Sequence, residues 1–109
     1  MDKLSLEAMA RGQAERAAGA ASGRAAETIY GGHEKLLRHT VIALRAGAVL
    51  SEHENPGEAT IVVLSGRVRL VTDDAGWDGR RGDFLVVPPV RHGLEAVTDA
   101  EVLLTVAKR

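Results

Sequence analysis

The chain of 109 residues, 45% of them hydrophobic, has room for one small domain with one core. Fourteen Lys and Arg nearly balance fifteen Asp and Glu, so no general attraction to phosphate backbones is predicted, and nucleic acid is not an expected partner. The absence of cysteine excludes disulfides, thiolate nucleophiles and metal sites with sulfur ligands.

The first residues predict a helix and no targeting segment. Residues 4–18 place apolar side chains at helical spacing, Ser5 can cap the start and Gly19 can end the helix. Neither a signal-peptide core nor a membrane-spanning run occurs, so we predict a cytoplasmic protein without membrane contact. The segment GAASGR indicates a linker, which divides the chain into a helix and linker, 1–24, and a β domain, 25–109.

Residues beyond the linker predict an antiparallel β-sandwich or barrel. Short runs of Val, Ile, Leu and Thr are separated about every 8 to 12 residues by Gly, Asp, Asn or Pro. The segment TDDAGWDGRRGD, 72–83, is expected to form a hairpin and turns. Eight strands are predicted, at 26–30, 35–45, 48–53, 59–65, 67–73, 83–88, 91–97 and 101–107.

The stretch LLRHTVIAL, 36–44, is apolar on both faces of its predicted strand. Alternation places Leu37 and Val41 on one face and Ile42 and Leu44 on the other. Such a strand is typical of a sheet with the core on one side and a second layer on the other. That layer is either the N-terminal helix or another subunit, and we therefore predict a homodimer.

The stretch GAVLSEHENPGEATIVVLSG resembles the first of the two motifs of the cupins. Gly47, His53 and Gly66 fall at the intervals of that pattern, and Gly66 suits a tight hairpin between strands. A second stretch, GDFLVVPPVRHGLEA, resembles the second motif through Gly82 and Pro88. Its histidine, His92, stands one residue earlier than the motif places it.

This resemblance covers residues 35–107 and implies a fold. The implied fold is mainly β, a small antiparallel barrel of cupin type, also called a double-stranded β-helix and similar to a jelly roll. The predicted short α-helix precedes this barrel.

The resemblance also implies a metal site that this sequence alters. Metal-dependent cupins hold their ion with two histidines and a glutamate from the first motif and one histidine from the second. Here Asn55 stands at the second histidine position and Ala59 at the glutamate position, while the adjacent Glu58 is expected to face the opposite side. The set implied for a divalent ion such as Zn, Fe, Mn or Ni is therefore His53, His92 and Asn55.

Three histidines carry open alternatives. His39 either points into the barrel and forms a cluster with His53 and His92, or is a buried imidazole with one hydrogen bond. His53 is a ligand or a residue packed at the rim. His92 is a ligand or a pocket imidazole bonded to a backbone carbonyl.

Two functional hypotheses follow for this chain. We favour a small-molecule-binding barrel with a degenerate metal site, non-catalytic or of unassigned activity, in which His39, His53, Asn55 and His92 are the polar groups of an aliphatic pocket. The alternative is a metal-dependent cupin enzyme, an oxygenase or isomerase, with a divalent ion held by His53 and His92. The sequence leaves the catalytic residues and the ligand undetermined.

Overall fold

A computed structural model describes residues 3–53 and 57–108 of the chain. Within these residues it contains one helix, α1 (Leu6–Ala18), and nine strands. The strands are β1 (Arg24–Tyr30), β2 (Leu37–Leu44), β3 (Val49–His53), β4 (Gly57–Ser65), β5 (Arg67–Val71), β6 (Gly76–Arg80), β7 (Phe84–Val86), β8 (His92–Ala96) and β9 (Ala100–Lys108).

The strands form two antiparallel sheets that face each other. One has five strands in the order β1-β2-β9-β4-β7, and the other has four in the order β3-β8-β5-β6. The prediction of a mainly β, antiparallel fold with one short helix is confirmed. The described strands show no ladder between the two sheets, so closure into a barrel is not seen in this part of the chain.

The core lies between the sheets and is aliphatic. Strand alternation points Ile42, Val63 and Val102 inward from the five-stranded sheet, and Val68 and Leu70 inward from the four-stranded sheet. All five are buried. The chain passes from one sheet to the other at Gly66, between β4 and β5. The hairpin predicted there is therefore wrong, because the turn joins the two sheets instead of two paired strands.

Helix α1 covers part of the outer face of the five-stranded sheet. Ser5 caps it, because its hydroxyl accepts a hydrogen bond from the Ala8 amide at 3.1 Å. Ala10 and Ala17 are buried on the helix, and Val41 and Ala43 are fully buried on β2 beneath it. The second layer predicted over residues 36–44 is therefore the chain's own helix.

Most predicted elements occur with shifted ends, and one strand was missed. The helix and eight strands lie within two residues of their predicted bounds at each end. The missed strand is β6, which lies in the segment predicted as a hairpin and turns. It pairs with β5 from Arg67↔Arg80 to Val71↔Gly76. Within the described ranges, no helix is long and apolar enough to cross a membrane.

Candidate functional site

A small aliphatic cavity with one imidazole lies between the two sheets. Its volume is about 30 Å³, which accommodates roughly two water-sized groups. His92, on β8, is the polar residue among the described side chains that line it. The aliphatic lining includes Ile42, Ile61 and Leu104 from the five-stranded sheet and Leu50, Leu70 and Leu94 from the four-stranded sheet.

His92 is buried and its ring orientation is fixed by the backbone. Only 7% of its surface is exposed, and Nδ1 lies 2.9 Å from the Val90 carbonyl oxygen. Because a carbonyl oxygen can only accept, Nδ1 carries a proton and donates it to Val90. This hydrogen bond agrees with the alternative of a pocket imidazole bonded to a backbone carbonyl.

The strand register brings the two motif histidines to neighbouring positions. His53, the last residue of β3, pairs with His92, the first residue of β8. A bulge interrupts this ladder between Leu50 and His53. Asn55 lies outside the described residues, as does the rest of 54–56.

The glutamate position of the resembled motif is occupied by a core methyl group. Ala59 is 8% exposed and belongs to the core between the sheets, whereas Glu58 is exposed, as strand alternation predicts. A divalent ion ordinarily takes at least three protein ligands. No group of three or more His, Cys, Asp or Glu among the described residues is placed to hold one. Of the three implied ligands, the structure describes the side chain of His92 alone, so the described residues do not by themselves make up the metal site that the resemblance implies.

His39 lies on the opposite face of the five-stranded sheet from this cavity. It shares the outer face with Val41 and Ala43, which α1 covers, while Ile42 faces inward. Its Nδ1 lies 2.9 Å from Thr105 Oγ1, and its ring meets Tyr30 edge-on at 6.0 Å. The alternative in which His39 forms a cluster with His53 and His92 is therefore wrong, because strand alternation turns His39 away from His92. The alternative of a buried imidazole with one hydrogen bond holds in part, because His39 has the bond but is only partly buried.

Sequence reasoning identified His92 but not the aliphatic side chains around it. The signal was present in the alternate positions of the strands, such as Leu70 on β5 and Leu94 on β8, which are paired in register. Glu101 was also missed, although it is an isolated carboxylate in the apolar run of β9.

Comparison with known proteins settles the family. The family model for the cupin domain matches residues 40–107. The chain belongs to the cupin family. Comparison with curated proteins finds no match.

Solved cupin structures share the fold over most of the chain. An RmlC-like cupin from Desulfovibrio desulfuricans is 35% identical, with a TM-score of 0.68 over 77% of this chain and 81% of that one. A conserved protein of unknown function from Streptococcus pyogenes is 27% identical, with a TM-score of 0.72 over 83% and 78%.

One structural neighbour is an enzyme of far greater length. The salicylate 1,2-dioxygenase of Pseudoaminobacter salicylatoxidans is 24% identical, with a TM-score of 0.77 over 94% of this chain but only 32% of that one. At this identity the likeness concerns the fold alone.

Proposed function

We propose that this cupin binds a small, largely apolar molecule between its two sheets, with His92 in contact with the polar group of that molecule. The observation that carries the proposal is a buried imidazole in an otherwise aliphatic cavity. Few, well-placed polar groups in an apolar lining are typical of ligand sites. The backbone bond from Nδ1 to Val90 orients the ring before any ligand arrives.

The size of the cavity restricts what can enter. A volume of about 30 Å³ admits a methyl, hydroxyl or similar group without movement of the strands. The class we propose is therefore a molecule that inserts one small end bearing a polar substituent. We place binding before catalysis because Ala59 occupies the position where metal-dependent cupins carry a glutamate.

Methyl NMR with a panel of small alcohols, phenols and carboxylic acids tests this site. We expect hits to shift the methyl resonances of Leu50, Leu70 and Leu94, and to bind about tenfold more weakly to His92→Leu because a buried polar partner is lost. His39→Leu is the matched control, since His39 also has a bonded Nδ1 but lies on the other face of the sheet. A panel without any effect on these methyls, or hits that bind His92→Leu equally well, contradicts the proposal.

The second candidate is a metal-dependent enzyme, favoured by the pairing of His53 with His92. Both imidazoles would then hold a divalent ion, which would supply Lewis-acid or redox chemistry. Titration of the protein with Zn, Fe, Mn and Ni salts, beside elemental analysis after purification without chelator, separates the two candidates. One bound metal per chain, lost in His53→Ala and His92→Ala but retained in His39→Ala, supports the enzyme.

A further inference from the structure

A second and larger cleft lies on the other side of the five-stranded sheet. It opens between the N-terminal half of α1 and the ends of β4 and β9 that meet it. Its volume is about 370 Å³, against about 30 Å³ for the cavity beside His92. This volume falls within the roughly 300 to 1,000 Å³ of ordinary small-molecule sites.

The cleft contains one cation and one carboxylate that lack a partner among the residues the structure describes. Glu7 and Arg11, which line its helix side, form an ion pair with each other at 3.6 Å. Arg81, in the turn after β6, and Glu101, on β9, also line the cleft. The side chains of these two residues make no hydrogen bond or ion pair with any residue the structure describes.

The surroundings of Glu101 favour a cationic ligand group. Burial beneath the helix, together with repulsion from Asp99, raises the pKa of this carboxyl above its ordinary value. The Asp99 carboxylate is itself held by the Ala46 amide at 2.8 Å, so it stays beside Glu101. An ammonium group in the cleft would provide the counter-charge that the ionised carboxylate lacks.

Arg81 and the apolar lining complete the recognition pattern. The exposed guanidinium of Arg81 offers a planar pair of donors that matches a carboxylate. Leu6, Ala10 and Leu64 provide apolar surface in the same cleft. Beside the Glu7–Arg11 pair, the wall thus combines the cation of Arg81, the anion of Glu101 and a short aliphatic surface.

We propose that this cleft is a second binding site, separate from the cavity between the sheets, for a free α-amino acid with an aliphatic side chain. The carboxylate of the amino acid pairs with Arg81, its ammonium group pairs with Glu101, and its side chain packs against Leu6 and Leu64. The proposal is independent of the ligand proposed for the cavity of His92, because the five-stranded sheet lies between the two sites.

Backbone NMR titration with L-leucine tests the location and chemistry of the site. We expect the amide shifts to concentrate at residues 6–11, 64–65, 81 and 101. Two analogues serve as probes of each charge: 4-methylpentanoate lacks the ammonium group, and 3-methylbutylamine lacks the carboxylate. Each should bind about tenfold more weakly than leucine, because one charge-assisted contact is missing.

Charge-neutral variants test the two side chains. Arg81→Gln and Glu101→Gln should each weaken leucine binding about tenfold. 3-Methylbutylamine, which has no carboxylate, should bind Arg81→Gln as tightly as it binds the parent. 4-Methylpentanoate, which has no ammonium group, should bind Glu101→Gln as tightly as it binds the parent. Arg80→Gln and Glu95→Gln are the matched controls, since they remove the same charges outside the cleft, and should bind leucine as the parent does. Retained amide dispersion shows that each variant is folded.

Three outcomes would overturn the proposal. The first is no shift at the cleft residues with leucine, valine and alanine at about 10 mM, a concentration that detects millimolar binding. The second is binding that maps to Leu50, Leu70 and Leu94, which line the other cavity. The third is equal affinity of leucine for the parent, Arg81→Gln and Glu101→Gln.

Discussion

Gly66 and Gly47 both have a positive φ, of 79° and 88°, but their surroundings differ. A Cβ at Gly66 would collide with the Asp99 carbonyl oxygen and lie 2.8 Å from Ala100 Cα. A Cβ at Gly47 would meet nothing within 4 Å. Gly66 therefore meets two demands, one on its backbone angles and one on space, whereas Gly47 meets only the first.

This difference predicts unequal costs for the same substitution. Gly47→Ala should lower the free energy of unfolding by about 1 to 2 kcal/mol, the strain of a left-handed alanine. Gly66→Ala should lower the free energy of unfolding by about 2 kcal/mol more than Gly47→Ala does, because the backbone near Asp99 and Ala100 must also shift to admit the methyl group. Urea denaturation of both variants measures this, and equal midpoints would show that the contact with Asp99 yields without cost.

The raised pKa of Glu101 predicts a dependence of stability on pH. A folded-state pKa above the ordinary 4.5 means that the folded protein binds this proton more tightly than the unfolded chain. The stabilisation is fully present below pH 4.5 and is lost as the pH rises through the folded-state value. Glu101→Gln should therefore melt at a higher temperature than the parent at about pH 7, and the difference should shrink toward about pH 4.

Glu58→Gln is the control for this experiment, because Glu58 is exposed on the same sheet. Glu58→Gln should show about the same difference in melting temperature between about pH 4 and about pH 7 as the parent. If Glu101→Gln melts at the same temperature as the parent at every pH, burial and repulsion from Asp99 do not raise the pKa of this carboxyl.

The histidines show where residue-level prediction succeeds and where it stops. The bond of His92 to a backbone carbonyl was predicted, because a buried imidazole has to satisfy its N–H and the nearby chain offers carbonyls. The direction of His39 could not be predicted. Both faces of 36–44 are apolar, so the hydrophobic pattern does not indicate which face of this strand points inward.

Helix α1 carries on its buried face one polar side-chain atom with no hydrogen-bond partner among the described residues. Gln13 is 2% exposed, and its Nε2 donates to Glu27 Oε1 at 3.0 Å. The amide cannot be turned around without placing its oxygen against that carboxylate, so Oε1 stays buried without a hydrogen-bond partner among the described residues. An unsatisfied carbonyl of this kind costs about 1 to 3 kcal/mol.

Gln13→Met should raise the free energy of unfolding by about 1 kcal/mol, because it removes the buried carbonyl and keeps a side chain of similar length. Glu27 retains contact with water and with Arg16 at 3.5 Å, so it tolerates the loss. Gln13→Glu is the opposing control and should destabilise by placing a second carboxylate beside Glu27. Thermal unfolding of the three proteins decides the point, and a destabilised Gln13→Met would show that the bond to Glu27 outweighs the buried carbonyl.

At the level of elements, the helix and eight strands were predictable because Ser5, the glycines and the runs of Val and Ile mark their bounds. Strand β6, GWDGR, was not, because its composition is that of a turn. Gly79 serves packing, because a Cβ there would lie 3.0 Å from Leu85 Cδ1 and 3.1 Å from Val63 Cγ2. The strand depends on tertiary contacts that no local pattern records.

At the scale of the whole molecule, one end of the β1–β2 hairpin remains uncovered. Leu36 is 75% exposed, Leu37 44% and Tyr30 51%, and β1 forms an edge of its sheet. We propose that a second copy of the chain packs against this end, as expected for an edge strand beside apolar side chains.

Sedimentation equilibrium tests the homodimer. The parent should sediment as a dimer at micromolar concentration, and the double variant Leu36→Lys, Leu37→Lys should sediment as a monomer because charge replaces the apolar contact. Val97→Lys is the control, since Val97 is 53% exposed but lies between β8 and β9, away from this hairpin. A monomeric parent would remove the proposal.

Strand β9 is the middle strand of the five-stranded sheet, and its consecutive residues belong to different surroundings. Val102 lines the cavity of His92, and Glu101 lines the cleft beneath the helix. Even-numbered residues of β9 face the cavity side and odd-numbered residues face the cleft side. Substitutions on one side can therefore accumulate without altering the other side. A change in length is different: deletion of one residue would exchange the two faces and carry the carboxylate of Glu101 inward. Descendants of this sequence can thus change the two faces of β9 independently, provided that they keep its count of residues.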